Sequence, residues 1–286
     1  MDDPLQCYRR LQKNFQKDVS SLDNLTLISA CADASMSALR GIQTSNLNSN
    51  VSGKNYFEFV KDKKTSRAVN SALYRPDLSD WYDFIRALQE KTLKNLTPEV
   101  ITSAIYSVAM SFCCYVDLAK SGDQKTPGTF FEYLIGHLFS RHLGVNPTNR
   151  LQVLNLDDNS TTLPTDFIFT LGKNKPRFHL PVKTSTRERV IQVWAHQRVL
   201  DGVYGTGRFL GTPVILAETK TDKKKKEVTE ICLPDQWRIY QMHIAQLKRI
   251  YYLDVPASYD RLNEVFPPLR IKAFGHFFFE LDDLIS

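Results

Sequence analysis

The chain has 286 residues, 42% hydrophobic, 11% aromatic and 24% charged, the composition of an ordinary globular protein large enough to bury a substantial core. No apolar run reaches the ~20 residues of a membrane span. The start MDDPLQCYRRLQKNF lacks a signal peptide's basic and then apolar pattern, and five cysteines without CxxC spacing exclude a disulfide framework and a structural zinc site, so a cytoplasmic protein with buried thiols and no membrane partner is expected.

In chain order, LQCYRRLQKNF and LTLISACADASMSALRGI carry apolar residues at helical spacing as far as about residue 42, and QTSNLNSNVSGKN follows as a Ser- and Asn-rich loop. DLSDWYDFIRALQEKTL opens on a cap signal at Ser79. LTPEVITSAIYSVAMSFCCYVDLAK opens on Thr97, Pro98 and Glu99, then sets Ile101, Ala104, Ile105, Val108 and Phe112 on one face, so the two segments read as packed helices. TPGTFFEYLIGHLFSRHLG is a third helix, closed by Gly144. Near residue 150 the pattern changes to strand-like alternation in LQVLNL, TDFIFTLG and RFHLPVK. A helix from about Arg187 to Asp201, a buried strand TPVILAE, a strand VTEICL, a helix PDQWRIYQMHIAQLKRIYYL and a final LRIKAFGHFFFEL complete the order. There is no internal repeat. The expectation is an α/β protein, with a helical N-terminal region over residues 1 to 110 and an α/β core over 111 to 286.

Charge alone does not identify a partner. The net +6 suits a polyanion, yet the densest cluster, KTDKKKKEV from Lys220 to Val228, reads as a solvated hairpin loop that at most touches phosphates without sequence choice. The chemistry lies elsewhere. Glu132 falls on the helix before the first strand, Asp166 in the second strand and Lys183 at the end of the third. Carboxylates hold hard divalent cations such as Mg2+, which polarise a phosphodiester and lower the pKa of a bound water. A lysine beside them can orient that water and offset charge in the transition state.

Helix, hairpin and strand supplying acid, acid and lysine resemble the PD-(D/E)xK nuclease fold, a mixed central sheet flanked by helices. The stretch KTSTRERV is similar to the K-x-[ST]-x-R-[DE]-R signature of Type II restriction endonucleases that cut CCGG, CCNGG or CCWGG sites, and TPGTFFEYLI is similar to their helix carrying the first acid. The resemblance covers roughly residues 125 to 200. It implies catalytic Glu132, Asp166 and Lys183, with Asp166 and Glu132 as the Mg2+ ligands and Arg187, Glu188 and Arg189 reading G·C pairs. It also implies a palindromic double-stranded DNA target cut to 5′-phosphate and 3′-hydroxyl ends, a homodimer, and functional pairing with a cognate DNA methyltransferase. The base chemistry is sound: arginine matches guanine O6 and N7, while an acid accepts from cytosine amino groups.

The chain departs from the pattern twice. The position two before the lysine, an acid in the common motif, is Pro181; thirteen residues after the lysine, where the CCGG group often has a glutamate, stands His196. His196 is therefore a candidate to ligate metal or hold a water, set against a plain packed histidine. Glu218-Thr219-Lys220 is a literal E-x-K and a competing centre, disfavoured by its 52-residue separation from Asp166. The glycine-rich GVYGTGRFLG precedes a strand and reads as a turn, and His137 and His142 lack the acid of an HExxH motif. Two other readings stand beside the restriction enzyme: a structure-selective or repair nuclease of the same fold, and a catalytically inactive sequence-specific DNA-binding protein.

Overall fold

The computed structural model describes residues 3–153, 161–266 and 268–286. Helices α1 (Pro4–Phe15) and α2 (Leu22–Leu39) form a hairpin whose apolar faces close on each other. Strands β1 (Gln43–Ser49), β2 (Tyr56–Lys61), β3 (Lys64–Thr65) and β4 (Val69–Asn70) follow. The segment expected to be a loop is thus largely strand: β1 pairs with β2 antiparallel and with a later strand in parallel. Its polar residues suit an outward face, and only Leu47 is buried along it. Helix α3 (Ser79–Glu90) ends on Lys91 in the left-handed region, φ +59°, and α4 (Pro98–Ala119) starts with Thr97 accepting from the Val100 N–H and Pro98 at its first position. By length and composition α4 could cross a bilayer, but 83% of its most apolar window is buried in the protein as the central core helix. The boundary expected at residue 110 falls inside it, and one apolar cluster runs from Cys7 to Leu284.

Helix α5 (Lys125–Leu143) closes on Gly144 at φ +69°, the left-handed cap that glycine adopts without strain. The strands that build the site are β5 (Thr148–Gln152), β6 (Thr162–Thr170), β7 (Arg177–Leu180) and β8 (Val182–Lys183). The expected strand LQVLNL extends past residue 153, outside the described residues. Next come α6 (Val190–Tyr204), β9 (Phe209–Gly211), β10 (Val214–Ile215), the hairpin β11 (Thr219–Asp222) and β12 (Glu227–Glu230), and α7 (Pro234–His243). The chain finishes with β13 (Ile250–Tyr252), β14 (Ile271–Ala273) and α8 (Leu281–Ile285). The long helix expected from Pro234 stops at His243, and its RIYYL end is the buried strand β13. Three aromatic and β-branched residues there alternate between two cores, which suits a strand better than a helix.

Two four-stranded sheets, β5-β6-β7-β9 and β14-β13-β10-β8, meet at a shared seam. Residues 177–183 run through both sheets, interrupted at Pro181, and 209–215 do the same around Pro213. Proline donates no ladder hydrogen bond, so each break falls where the strand changes partners; the Pro181 and Pro213 carbonyls still accept, from Val214 and Tyr251. Alternation then assigns the faces. Val214 and Tyr251 join the core under α4 and α5, while Ile215 and Tyr252 join Trp194 of α6 and Trp237 of α7 on the other side. The result is a helix–sheet–helix sandwich with the prolines at its centre. The third sheet, β11-β12-β1-β2-β3 with β4 on β2, is tied to the sandwich by Lys54, whose Nζ lies 2.8 Å from both Glu230 and Asp254. All five cysteines are free thiols, four of them buried.

Candidate active site

The antiparallel ladder opposes Phe167 to Leu180, which sets Asp166 beside Pro181 at the seam. There Asp166 Oδ2 accepts from the Val182 backbone N–H at 2.8 Å and from Lys183 Nζ at 2.7 Å. Asp166 Oδ1 has no hydrogen bond among the described residues. Lysine and aspartate side chains remain 28% and 24% exposed, so a substrate can reach both. Helix α5 delivers the third group. A Cβ on Gly136 would lie 2.5 Å from the Phe167 ring, so glycine there lets the helix press onto β6. One turn earlier on the same helix face stands Glu132. Its carboxyl is pushed up to about 7 by burial and then by the negative charge of Asp166, with Lys183 pulling the other way. Glu132, Asp166 and Lys183 therefore share one electrostatic field, in which Glu132 is a perturbed acid beside a second carboxylate and a cation, the kind of group found at functional sites.

Beside Asp166 and Lys183 lies a cavity of about 30 Å3, room for a water or a small cation, lined by these two residues, His196 and His179 among others. His196 is half-buried; burial lowers its pKa, and Asp166 opposes that shift. His179 went unnoticed in the sequence, although the alternation of RFHLPVK puts it on the face of Pro181 and Lys183. It is fully buried, its pKa pushed down to about 4 by burial, and Nδ1 lies 3.2 Å from Gln197 Oε1. The Gln197 amide donates to Asp201 and to the Phe209 carbonyl, so its oxygen faces the imidazole and His179 is the donor.

The residues fit a hard divalent cation. A buried Glu132 carboxyl whose ionisation the Asp166 charge opposes makes an oxygen-rich, cation-seeking site, and Mg2+ is commonly held by one or two carboxylates with substrate phosphates and water filling the rest. Among the described residues no three acid, histidine or cysteine side chains stand together as a complete ligand set. Pro181 contributes no ligand.

The basic triplet follows at once. Arg187–Arg189 forms a single 3-10 turn with both arginines exposed, and α6 begins only at Val190, three residues later than the helix expected from Arg187. Arg187 lies at φ +41°, a left-handed conformation that strains an arginine. The Glu188 side chain lies outside the described residues. The competing E-x-K is not a metal centre: Glu218 is 1% exposed with its oxygens taken by Ser185, Thr186 and Tyr252, and Lys220 is exposed on β11. His137 and His142 are packed side chains, the first bonded to the Val19 carbonyl and the second set edge-on to Phe277 and Phe278.

This sheet, seamed by prolines and flanked by helices on both faces, is a restriction-endonuclease-like α/β fold. It aligns with the crystal structure of the Type IIP restriction endonuclease Kpn2I at a TM-score of 0.77 and 24% identity, covering 99% of this chain and 96% of that one. The restriction endonuclease PspGI, solved with substrate DNA, aligns at 0.40 with 16% identity over 72% of this chain and 90% of its own, too loose a likeness to inform the site. No protein-family model matches the sequence, and no curated protein sequence matches it.

Proposed function

We propose that the chain is a Type II restriction endonuclease: a Mg2+-dependent, sequence-specific nuclease cutting double-stranded DNA at a palindrome with CC/GG steps, of CCGG or CCNGG type. The observation that carries this reading is the 2.7 Å contact of Lys183 with Asp166 in the field of Glu132, open to solvent at the seam of a restriction-endonuclease-like sheet. Asp166 and Glu132 would hold the cation, which when bound polarises the phosphate and supplies a water of lowered pKa. Lys183 would orient the attacking water and place positive charge beside the phosphorane-like transition state. His196, across the cavity, holds a water or completes the cation's shell. The P–O3′ bond breaks, leaving 5′-phosphate and 3′-hydroxyl ends. Arg187, Glu188 and Arg189, a few residues beyond the lysine, read G·C pairs in the major groove. A palindromic site calls for a two-fold homodimer with one catalytic centre per strand. A cognate methyltransferase protecting host DNA and a cytoplasmic location belong to the same reading, with residues 1 to 110 contributing DNA contacts or dimer surface.

A second reading, a DNA-binding protein without cleavage, is favoured by Pro181 and His196 standing where acids are expected. The two separate on supercoiled plasmid containing CCGG and CCNGG sites. The nuclease linearises or fragments it in Mg2+, is silent in EDTA, and loses activity as Lys183→Ala. Tight specific binding with no cleavage in Mg2+ or Mn2+ selects the second reading.

A further inference from the structure

Glu218 sits just beyond β10, and its carboxylate is an unusually complete acceptor. A carboxylate offers about four lone-pair positions. Here Ser185 Oγ donates at 2.7 Å, the Thr186 backbone N–H at 2.9 Å and Tyr252 OH at 3.2 Å, and the Thr186 hydroxyl donates as well. Leu216 N–H to the Lys183 carbonyl at 3.0 Å and Ala217 N–H to the Thr184 carbonyl at 3.3 Å carry the β8–β10 pairing up to this point. Residues 183–186 are thus locked against 215–218. The next residue is Arg187 at φ +41°, and Arg189 N–H donates back to the Thr186 carbonyl at 2.8 Å. A left-handed arginine is strained, and persists only where its surroundings over-determine it. The clamp on Thr186 is that surrounding. An acid buried to 1% exposure is a costly way to hold a turn that only needs packing, but four directed hydrogen bonds fix an orientation as apolar contact does not.

We propose that Glu218 is the positioning residue for base reading: by clamping Ser185 and Thr186 it sets the direction of the Arg187–Arg189 turn relative to Lys183. The inference rests on the reading of the triplet as base-contacting. A buried acid just beyond a neighbouring strand thereby becomes a determinant of specificity without any contact to DNA.

The test is competition binding in Ca2+ with the purified full-length chain, using the duplex that the wild-type protein enriches from a randomised pool and the same duplex with one base pair changed. Thermal denaturation is followed in parallel. Glu218→Gln keeps the shape but sets an amide donor against the hydroxyl and N–H donors. It is expected to cut the ratio of correct to altered duplex about tenfold, the scale of one bidentate base contact, while affinity for random DNA at low salt is unchanged because both arginines remain. Thr186→Val should do the same to a smaller degree and Thr186→Ser should restore the wild-type ratio, so a Glu218→Gln chain that fails to fold leaves the question decided by residue 186. If the wild type discriminates and folded Glu218→Gln and Thr186→Val both discriminate equally well, the inference is wrong and the base-reading assignment survives. A wild-type protein that enriches no sequence overturns that assignment and the inference together.

Discussion

Glu132→Gln separates what this acid does for chemistry from what it does for the fold. Its carboxyl is held at about 7 against an ordinary 4.5 by burial and by Asp166. Because the folded value is the higher, the folded protein keeps a proton that the unfolded chain gives up between these values. Stability therefore falls as pH rises from 4.5 through 7, and the deficit is complete by pH 8. Each pH unit in that window is worth 1.36 kcal/mol, so about 3 kcal/mol bounds the deficit, and the partial exposure of the side chain reduces it to about 2. Glutamine carries no charge to bury. In EDTA at pH 8 the variant should melt roughly 3–4 °C above the wild type by calorimetry, with the two curves converging near pH 4.5. Millimolar Mg2+ should then raise the wild-type midpoint more than the variant's, because the cation relieves the repulsion that glutamine has already removed. Cleavage should be weakened, with partial recovery in Mn2+. A variant no more stable than wild type at pH 8 would show that Glu132 does not share the field of Asp166, and would remove it from the site.

Lys183→Ala should abolish cleavage and leave specific binding within a few fold, measured by gel shift in Ca2+, since it removes charge needed in the transition state more than in the bound complex; Lys220→Ala should cut normally, and the reverse pattern would move the active site to β11. Asp166→Ala should eliminate activity in Mg2+ and Mn2+ alike. Arg187→Ala or Arg189→Ala should lower discrimination against a wrong base by roughly 1–3 kcal/mol while binding to random DNA persists, and Glu188→Ala should relax the choice at the cytosines, whereas replacing Lys223 to Lys226 should weaken all duplexes equally and flatten the salt dependence. Parallel loss on every sequence for the arginine variants would make the triplet a phosphate clamp. Gly136→Ala should destabilise the protein by about 1–3 kcal/mol in a melting assay, because its Cβ must displace the Phe167 ring, and should depress activity by moving Glu132 away from Asp166.

The candidate site is legible in the sequence because its parts are local. Asp166 and Lys183 lie at recognisable strand positions, and the apolar periodicity from Ile101 to Phe112 belongs to a helix buried all round. What escaped is what depends on distant pairing. β1 is written mostly in Gln, Ser and Asn, residues with little strand preference, and is a strand because β2 and β12 flank it on either side. Ile250–Tyr252 continues an apolar pattern that a helix could also own until partners on both sides make it a central strand. The arginine triplet looked like a first helical turn, yet a left-handed Arg187 is set by Thr186 and Glu218, 32 residues apart, and no spacing rule announces that pair. His179 was within reach of simple alternation. The E-x-K at Glu218, disfavoured by its spacing from Asp166, has its acid spent on hydrogen bonds rather than on a metal.

The most direct measurement is a digest of a supercoiled plasmid of known sequence by the purified chain in Mg2+, with every new end sequenced and its phosphate tested by ligation. The account predicts a discrete set of ends sharing one palindrome with CC/GG steps, all ligatable through 5′-phosphate and 3′-hydroxyl, and none formed in EDTA. Ends scattered without a common sequence, or intact plasmid in both Mg2+ and Mn2+, would contradict it.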